Sequence, residues 1–281
     1  YFYQLFGMCF RIVERDGHMN KKSVMPTMES VDRFKAAMDS DRGALGPFMI
    51  CTDPAMVEAA GHAGYDFVLL DMEHGTTTFQ ELPNLIRAAN VTGVCPVVRV
   101  PRGSDIWIDQ ALDVGAGAVM IPQIDTAEQA RAAVSAAKFS PVGTRGTCRF
   151  VRSAGFGAVP GSEYFSRAQD TVVILQAEGQ KAIDNLDEIL DVPGIDVVFV
   201  GPYDLSSSLG HVGEIDHPEV IAAIKQIIAK AAAKGVKIGC FADTVEGGKK
   251  WRDMGVKFIG YGCDTYIFMQ AAKADVAEFD V

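Results

Sequence analysis

Apolar residues along this chain fall into short β-prone runs that alternate with longer stretches of helical spacing. The runs lie at 47–51, 67–72, 96–100, 118–124, 172–178, 197–202, 237–242 and 258–264. Helical patterns follow them near 54–63, 79–90, 105–114, 126–137, 181–191, 217–234, 244–254 and 265–278, most of them rich in alanine and closed by glycine. Eight strands alternating with eight helices imply parallel pairing through right-handed crossovers, and the count predicts closure into an α/β fold, a (β/α)8 TIM barrel. The competing arrangement is an open doubly wound sheet. It is weakened because the first strand-to-helix turn, Cys51-Thr52-Asp53-Pro54, lacks a G-x-G-x-x-G dinucleotide loop, and no G-x-x-x-x-G-K-[ST] occurs elsewhere.

Ahead of the first strand, Val31, Phe34, Ala37 and Met38 have amphipathic helical spacing over 31–41, which predicts a helix that closes the bottom of the barrel. Residues 1–27 match no barrel element and are set apart as an N-terminal extension, leaving 28–281 as one barrel domain ending in a C-terminal helix. Met19, Met25 and Met28 are candidate native starts, and Gly17-His18-Met19 resembles a cloning junction. One connection is far longer than the usual two to six residues. It runs from Ser140 to Asp170, carries Arg145, Arg149 and Arg152 with several glycines, and reads as a mobile loop over the site.

Composition narrows the partners. A net charge of -10 over 281 residues, with no clustered Lys/Arg footprint, argues against nucleic acid and for small molecules. No run reaches the roughly 18 apolar residues of a membrane span, and the apolar opening Tyr1–Phe10 lacks the basic segment and cleavage site of a signal peptide. The six cysteines are widely spaced, with neither C-x-x-C nor zinc spacing, and read as reduced cytoplasmic thiols.

In a barrel of this type the chemistry sits where the strands exit. The second strand, Y-D-F-V-L-L-D-M-E-H-G, delivers Asp71, Glu73 and His74; the third puts Arg99 inside an apolar run. The fifth ends in Gln176 and Glu178, which alternate and share a face, and the sixth passes through Gly201 and Pro202 to Tyr203 and Asp204. A single Asp or Glu at such a position is by default a solvated loop acid. Two at matching exits of adjacent strands are candidate ligands, and the hard oxygens of Glu178 and Asp204 suit Mg²⁺ or Mn²⁺. Arg99 has two readings: a structural ion pair with Asp71 or Glu73, or a fork that grips a substrate carboxylate or oxyanion. His74 reads as an acid/base group oriented by a carboxylate, or as a packed histidine. His211 and His217 look like caps or surface residues, and His62 is assigned no role. No lysine falls at a strand exit, so a Schiff-base mechanism lacks its amine, and the electron sink falls to a metal.

The ordered segments D-M-E-H-G, P-V-V-R-V, G-A-G-A-V-M-I-P-Q-I, S-P-V-G-T-R-G, L-Q-A-E and V-G-P-Y-D-L-S resemble the HpcH/HpaI family of class II pyruvate-dependent aldolases, from about Phe34 to the C-terminus. The resemblance implies reversible retro-aldol cleavage of a 4-hydroxy-2-oxo acid to pyruvate and an aldehyde, through a pyruvate enolate stabilised by a divalent metal. It implies Glu178 and Asp204 as metal ligands, Arg99 on the pyruvyl oxygen, and His74 with Asp71 handling the proton through water. Gln176 matches a family glutamine beside the metal water, and Gly201 and Pro202 join Arg99 and Gln176 as substrate-binding positions. Family members form homo-oligomers, commonly hexamers, whose last helix packs on a neighbour. The apolar Tyr266, Ile267, Phe268 and Met269 agree with that, although a helix covering its own barrel needs such residues too. D-x-E-H-G is also similar to the macrophomate synthase branch. The other rivals are a CoA-ester lyase, whose basic groove has only Arg145, Arg149 and Arg152 as candidates, and a non-catalytic binding barrel.

Overall fold

The computed structural model describes residues 26–102 and 105–279. Its strands are β1 (Ala44–Met49), β2 (Phe67–Asp71), β3 (Cys95–Arg99), β4 (Ala118–Ile121), β5 (Val172–Gln176), β6 (Val197–Val200), β7 (Lys237–Ala242) and β8 (Phe258–Cys263). All pair in parallel and in chain order, and β8 returns to β1 to close the barrel. The helices are α1 (Pro26–Asp39), α2 (Pro54–His62), α3 (Leu82–Thr92), α4 (Asp105–Asp113), α5 (Ala127–Ala137), α6 (Gly161–Ala168), α7 (Gln180–Asp184), α8 (Leu186–Leu190), α9 (Pro202–Ser208), α10 (Pro218–Ala233), α11 (Val245–Asp253) and α12 (Asp264–Glu278), and a 3-10 turn spans Arg152–Gly157. The TIM barrel expected from the alternation is the fold observed. Of the separate extension, residues 1–25 lie outside the described residues, and its last two positions open α1.

Local signals start these helices where the sequence puts them. Asp53 caps α2 through the Ala55 N–H with Pro54 at the first turn, and Thr126 and Gln129 form a reciprocal capping box on α5. The single helix expected over 181–191 is instead a pair, α7 and α8. It breaks at Asn185, whose side-chain amide donates to the Asp125 carbonyl at 2.8 Å. β1 begins three residues earlier than its apolar run suggests, and Pro47 sits inside it. Proline has no N–H for the ladder, and the register between β1 and β8 shifts between Gly46 and Phe48 to accommodate it.

Period-two alternation sorts the strand residues into two shells. Phe67 and Leu69 of β2, Cys95 and Val97 of β3, Val172 and Ile174 of β5, and Val197 and Phe199 of β6 fill the barrel interior. Val68, Leu70, Val98, Val173, Leu175 and Val198 face the helices. Large interior rings need small neighbours: a Cβ on Gly260 would meet the Phe48 ring at 2.5 Å, and one on Gly239 would meet Phe199 and Phe258 below 3 Å. The lower end is closed by α1. Its Phe34 is fully buried against Phe67 and Phe258, whose rings stack at 4.2 Å. Burying one such ring contributes roughly 1.5–3 kcal/mol.

The long 140–170 connection does not cover the strand exits. It follows α5, which has already carried the chain back to the strand entrances. Arg145 binds Asp113 at 2.8 Å and Arg152 donates to the Val114 carbonyl at 2.8 Å, both at the far end of α4, and Arg167 reaches Asp32 on α1. The segment packs a small core of its own from Phe139, Ala154, Val159, Tyr164 and Ala168. Buried Lys138 ties its two ends by donating to the Gln169 and Thr171 carbonyls, and burial lowers its pKa. Length and arginine content suggested a lid, whereas helix direction makes this segment part of the floor.

Helix α12 does not cover its own barrel. Asp264 is buried and accepts from the Ile50 and Cys51 N–H groups, but beyond it Phe268, Met269 and Val276 are at least 46% exposed. Outside β1 and β8 this leaves a groove floored by Leu45, Tyr65, Ile259 and Tyr261, with Lys249 and Arg252 among its other lining residues. Among the described residues no helix is long and apolar enough to cross a membrane.

Candidate active site

The inward rows that build the barrel core change character at their last rung. On β2 the row Phe67, Leu69 ends in Asp71; on β3 Cys95, Val97 ends in Arg99; on β5 Val172, Ile174 ends in Gln176. Strand register sets Asp71 directly beside Arg99. Two more steps along the chain bring Glu178 over Gln176, whose Nε2 donates to Glu178 Oε2 at 3.0 Å. All eight site residues expected from sequence, Asp71, His74, Arg99, Gln176, Glu178, Gly201, Pro202 and Asp204, line one cavity of about 220 Å³ at the barrel mouth.

Asp71 and Arg99 form a buried fork. Arg99 Nε donates to Asp71 Oδ1 at 2.8 Å and Nη2 to Oδ2, while Nη1 lies 3.2 Å from Glu73 Oε2. Glu73 is held from its other oxygen by Arg102 Nε at 2.7 Å. The guanidinium stacks over the Phe48 ring at 5.0 Å. Arg99 is ion-paired, as its structural reading expects, yet not all of its five N–H donors are used by these carboxylates. Asp71 Oδ1 also accepts from the backbone N–H groups of Glu73 and His74 at 3.0 and 3.2 Å. Asp71 therefore holds the His74 backbone, and the imidazole itself extends to the rim, 66% exposed, with Nε2 at 4.0 Å from Glu73 Oε2.

Glu178 and Asp204 meet at Gly201. A Cβ there would lie 2.9 Å from Glu178 Oε2 and 3.1 Å from Asp204 Oδ2, so the missing side chain is what lets the two carboxylates share the space. Burial, followed by repulsion from Asp204 and Glu73, raises the Glu178 pKa from 4.5 to about 7, against the lowering pull of Arg99 and Arg102. Gln176 Oε1 is buried without a hydrogen-bond partner among the described residues. Two hard carboxylates repelling each other beside an acceptor that lacks a donor form a donor set suited to a small divalent cation and its water.

Sequence reasoning missed the apolar wall. Phe48, Ile50, Phe199, Phe241 and Cys263 also line the cavity. The available signal was their parity: Phe199 lies two residues before Gly201 on the same inward row. Tyr203 also lines the cavity; its hydroxyl donates to Asp243 Oδ2 at 2.6 Å, and that bond with burial pushes its pKa up to about 12. A second cavity of about 320 Å³ shares Glu178 and Asp204 but is lined by Gln123, Asp125, Gly179, Ser207 and Ser208. Gln123 sits there with φ of 55°, an uncommon conformation for a side-chain-bearing residue.

The HpcH/HpaI aldolase/citrate lyase family model matches residues 45–271, which contain every site residue above. The chain is 40% identical to the 2-dehydro-3,6-dideoxy-6-sulfogluconate aldolase of Pseudomonas putida, over 82% of this chain and 89% of the relative. It is 38% identical to the 2-keto-3-deoxy-L-rhamnonate aldolase of Escherichia coli K12, over 88% of this chain and 92% of the relative. A crystal structure of an HpcH/HpaI aldolase/citrate lyase family protein from Burkholderia cenocepacia J2315 superimposes with a TM-score of 0.82 at 33% identity, covering 88% of this chain and 98% of that one. The barrel, the carboxylates and arginine at its mouth, and these likenesses agree: the chain belongs to the HpcH/HpaI aldolase/citrate lyase family and is an aldolase, a carbon–carbon lyase.

Proposed function

We propose that this chain is a class II aldolase that reversibly cleaves a 4-hydroxy-2-oxo acid to pyruvate and an aldehyde, using Mg²⁺ or Mn²⁺ held by Glu178 and Asp204. The observation that carries this reading is the meeting of those two carboxylates over Gly201 in the cavity that also contains the Arg99 guanidinium. When bound, a divalent cation supplies Lewis acidity that draws electron density from the substrate's C2 carbonyl.

The remaining roles belong to side chains. Arg99, pinned by Asp71 and Glu73, directs its remaining donors at the pyruvyl oxygen and stabilises the charge that develops as C3 and C4 separate. Gln176 and the backbone around Gly201 and Pro202 bind beside it, and Phe48, Phe199 and Phe241 give C3 an apolar floor. His74 on the rim accepts the C4 hydroxyl proton through water, while Asp71 acts by fixing Arg99 and the Glu73-His74 backbone. Among the described residues no lysine lines the cavity, which leaves amine catalysis without its nucleophile.

The polar cavity beyond the carboxylates favours a hydroxylated aldehyde. Gln123, Asp125, Ser207 and Ser208 offer both donors and acceptors there. The two relatives act, by name, on 2-keto-3-deoxy-L-rhamnonate and 2-dehydro-3,6-dideoxy-6-sulfogluconate, and a 2-keto-3-deoxy sugar acid is the substrate class we assign. A CoA-ester lyase is less well supported, because Arg145, Arg149 and Arg152 belong to the floor segment, away from the strand exits. The exposed apolar residues of α12, together with Asp275 and Glu278, complement a groove lined by tyrosines, Lys249 and Arg252, and we read α12 as a contact between copies in a homo-oligomer. Pyruvate release from 2-keto-3-deoxy sugar acids, followed with and without a chelator, tests the activity. Release that stops on chelation and returns with Mg²⁺ or Mn²⁺ supports it; chelator-insensitive release, or no pyruvate, refutes it.

A further inference from the structure

Between α9 and α10 lie three metal-ligating side chains that the aldol reaction does not use. His211, Glu214 and His217 recur at every third position. The backbone turns that spacing into a single face: the Glu214 N–H donates to the His211 carbonyl at 2.9 Å, and the His217 N–H to the Glu214 carbonyl at 3.0 Å. One ligand atom from each of the three lies within 4.8 Å of the other two. The two imidazoles stack with centroids 3.4 Å apart and planes 20° from parallel.

This cluster is already organised by its surroundings. Glu219, in the first turn of α10, fixes both rings: its carboxylate contacts His211 Nε2 at 2.9 Å, and its backbone N–H donates to His217 Nδ1 at 3.3 Å. At His211 the carboxylate draws the ring proton to Nε2 and leaves Nδ1 basic and free to ligate, as at metal-bound histidines generally; the His217 ring accepts at Nδ1 and ligates an ion by exchanging that cap bond for the metal. The loop is also tied to α9, because the His211 N–H donates to the Ser206 carbonyl at 2.7 Å and the Gly213 N–H to Ser206 Oγ at 3.0 Å. The two imidazoles are thus already placed, and ion binding has to order the exposed Glu214 carboxylate and turn the rings out of their stack.

We propose that His211, Glu214 and His217 form a second divalent-metal site, distinct from Glu178 and Asp204 and selective for a borderline ion of the zinc class. Two imidazoles and one carboxylate suit Zn²⁺, Co²⁺ or Ni²⁺, with water in the fourth position, whereas the all-oxygen pair at the barrel mouth suits hard Mg²⁺ or Mn²⁺. An ion here staples the loop to the start of α10. Through Ser206 it also steadies α9, whose first turn carries Asp204.

The test titrates Co²⁺ into the metal-stripped, tag-free chain carrying Glu178→Gln and Asp204→Asn, and follows the visible d–d absorption of a nitrogen-ligated ion. One equivalent should bind, and Zn²⁺ but not Mg²⁺ should displace it. In the same background, His211→Gln should abolish the band, as should His217→Asn, which keeps an acceptor for the helix cap. Glu219→Gln, which spares all three ligands, should weaken binding about 10- to 100-fold. Circular dichroism separates loss of the band from loss of the fold. Absence of Co²⁺ binding in the carboxylate background would overturn the proposal, and so would an unchanged spectrum in both folded histidine variants.

Discussion

Glu178 should destabilise the metal-free protein at neutral and alkaline pH, and removing its charge should stabilise it. Below pH 4.5 the carboxyl is neutral in both folded and unfolded chains. As pH rises further, the unfolded chain releases the proton while the folded one retains it until about pH 7, because burial and the neighbouring Asp204 and Glu73 disfavour the charged form. Stability from this group is therefore lost across that window, and the loss is complete above it. The rise from 4.5 to about 7 corresponds to roughly 3 kcal/mol at about 1.4 kcal/mol per pH unit. Glu178→Gln keeps the shape and an acceptor for Gln176 Nε2 while removing the charge. In EDTA at pH 8 the variant should melt above wild type by as much as roughly 6–12 °C, taking about 2–4 °C per kcal/mol for a domain near this size. At pH 4, below both values, the two should nearly coincide. Saturating Mn²⁺ should raise the wild-type Tm and leave the variant almost unchanged. A variant that melts at or below wild type at pH 8 in EDTA, or a difference that does not vary with pH, would refute the reasoning.

Other expectations follow from single contacts. Gly201→Ala introduces a Cβ 2.9 Å from Glu178 Oε2, and metal affinity measured by calorimetry should fall about 10- to 100-fold with the fold intact. Asp71→Ala leaves buried Arg99 with only Glu73; denaturant unfolding should report a loss near 3 kcal/mol, with kcat falling as well. Arg145→Ala should cost about 1–3 kcal/mol through its lost bonds to Asp113 and Tyr164, while kcat/KM stays within about twofold if the connection is floor rather than lid. Truncation before Thr265 should reduce the assembly seen by light scattering to a smaller species; an unchanged mass would remove α12 from the interface.

Much of the site was legible because barrel geometry turns chain parity into position. Asp71, Arg99 and Gln176 each end an inward-facing row, so a polar residue closing an alternating apolar run already identified the mouth of the barrel. Helix starts were legible from Asp53 and Thr126, whose capping is local chemistry. What was not legible depends on distant partners or direction. The 140–170 segment shows its length and arginines in sequence, but Asp113 and Val114, which hold it at the floor, lie at the end of α4, far off in the chain. Asp71 and His74 were expected to act as a pair, whereas the Asp71 carboxylate is engaged by Arg99 and by backbone N–H groups. His217, expected to be a cap or a surface residue, caps α10, but its approach to His211 depends on two consecutive turns that spacing alone does not specify.

The central claim is that Glu178 and Asp204 hold a divalent ion that, with Arg99, lets this barrel take a proton from C3 of pyruvate. Exchange of the pyruvate methyl protons with deuterated solvent, followed by proton NMR, measures that step without any knowledge of the aldehyde. Exchange should require Mg²⁺ or Mn²⁺, cease in EDTA, and disappear in Glu178→Ala and Asp204→Asn while both variants remain folded. Exchange that proceeds at the same rate in EDTA, or in those variants, would contradict the account.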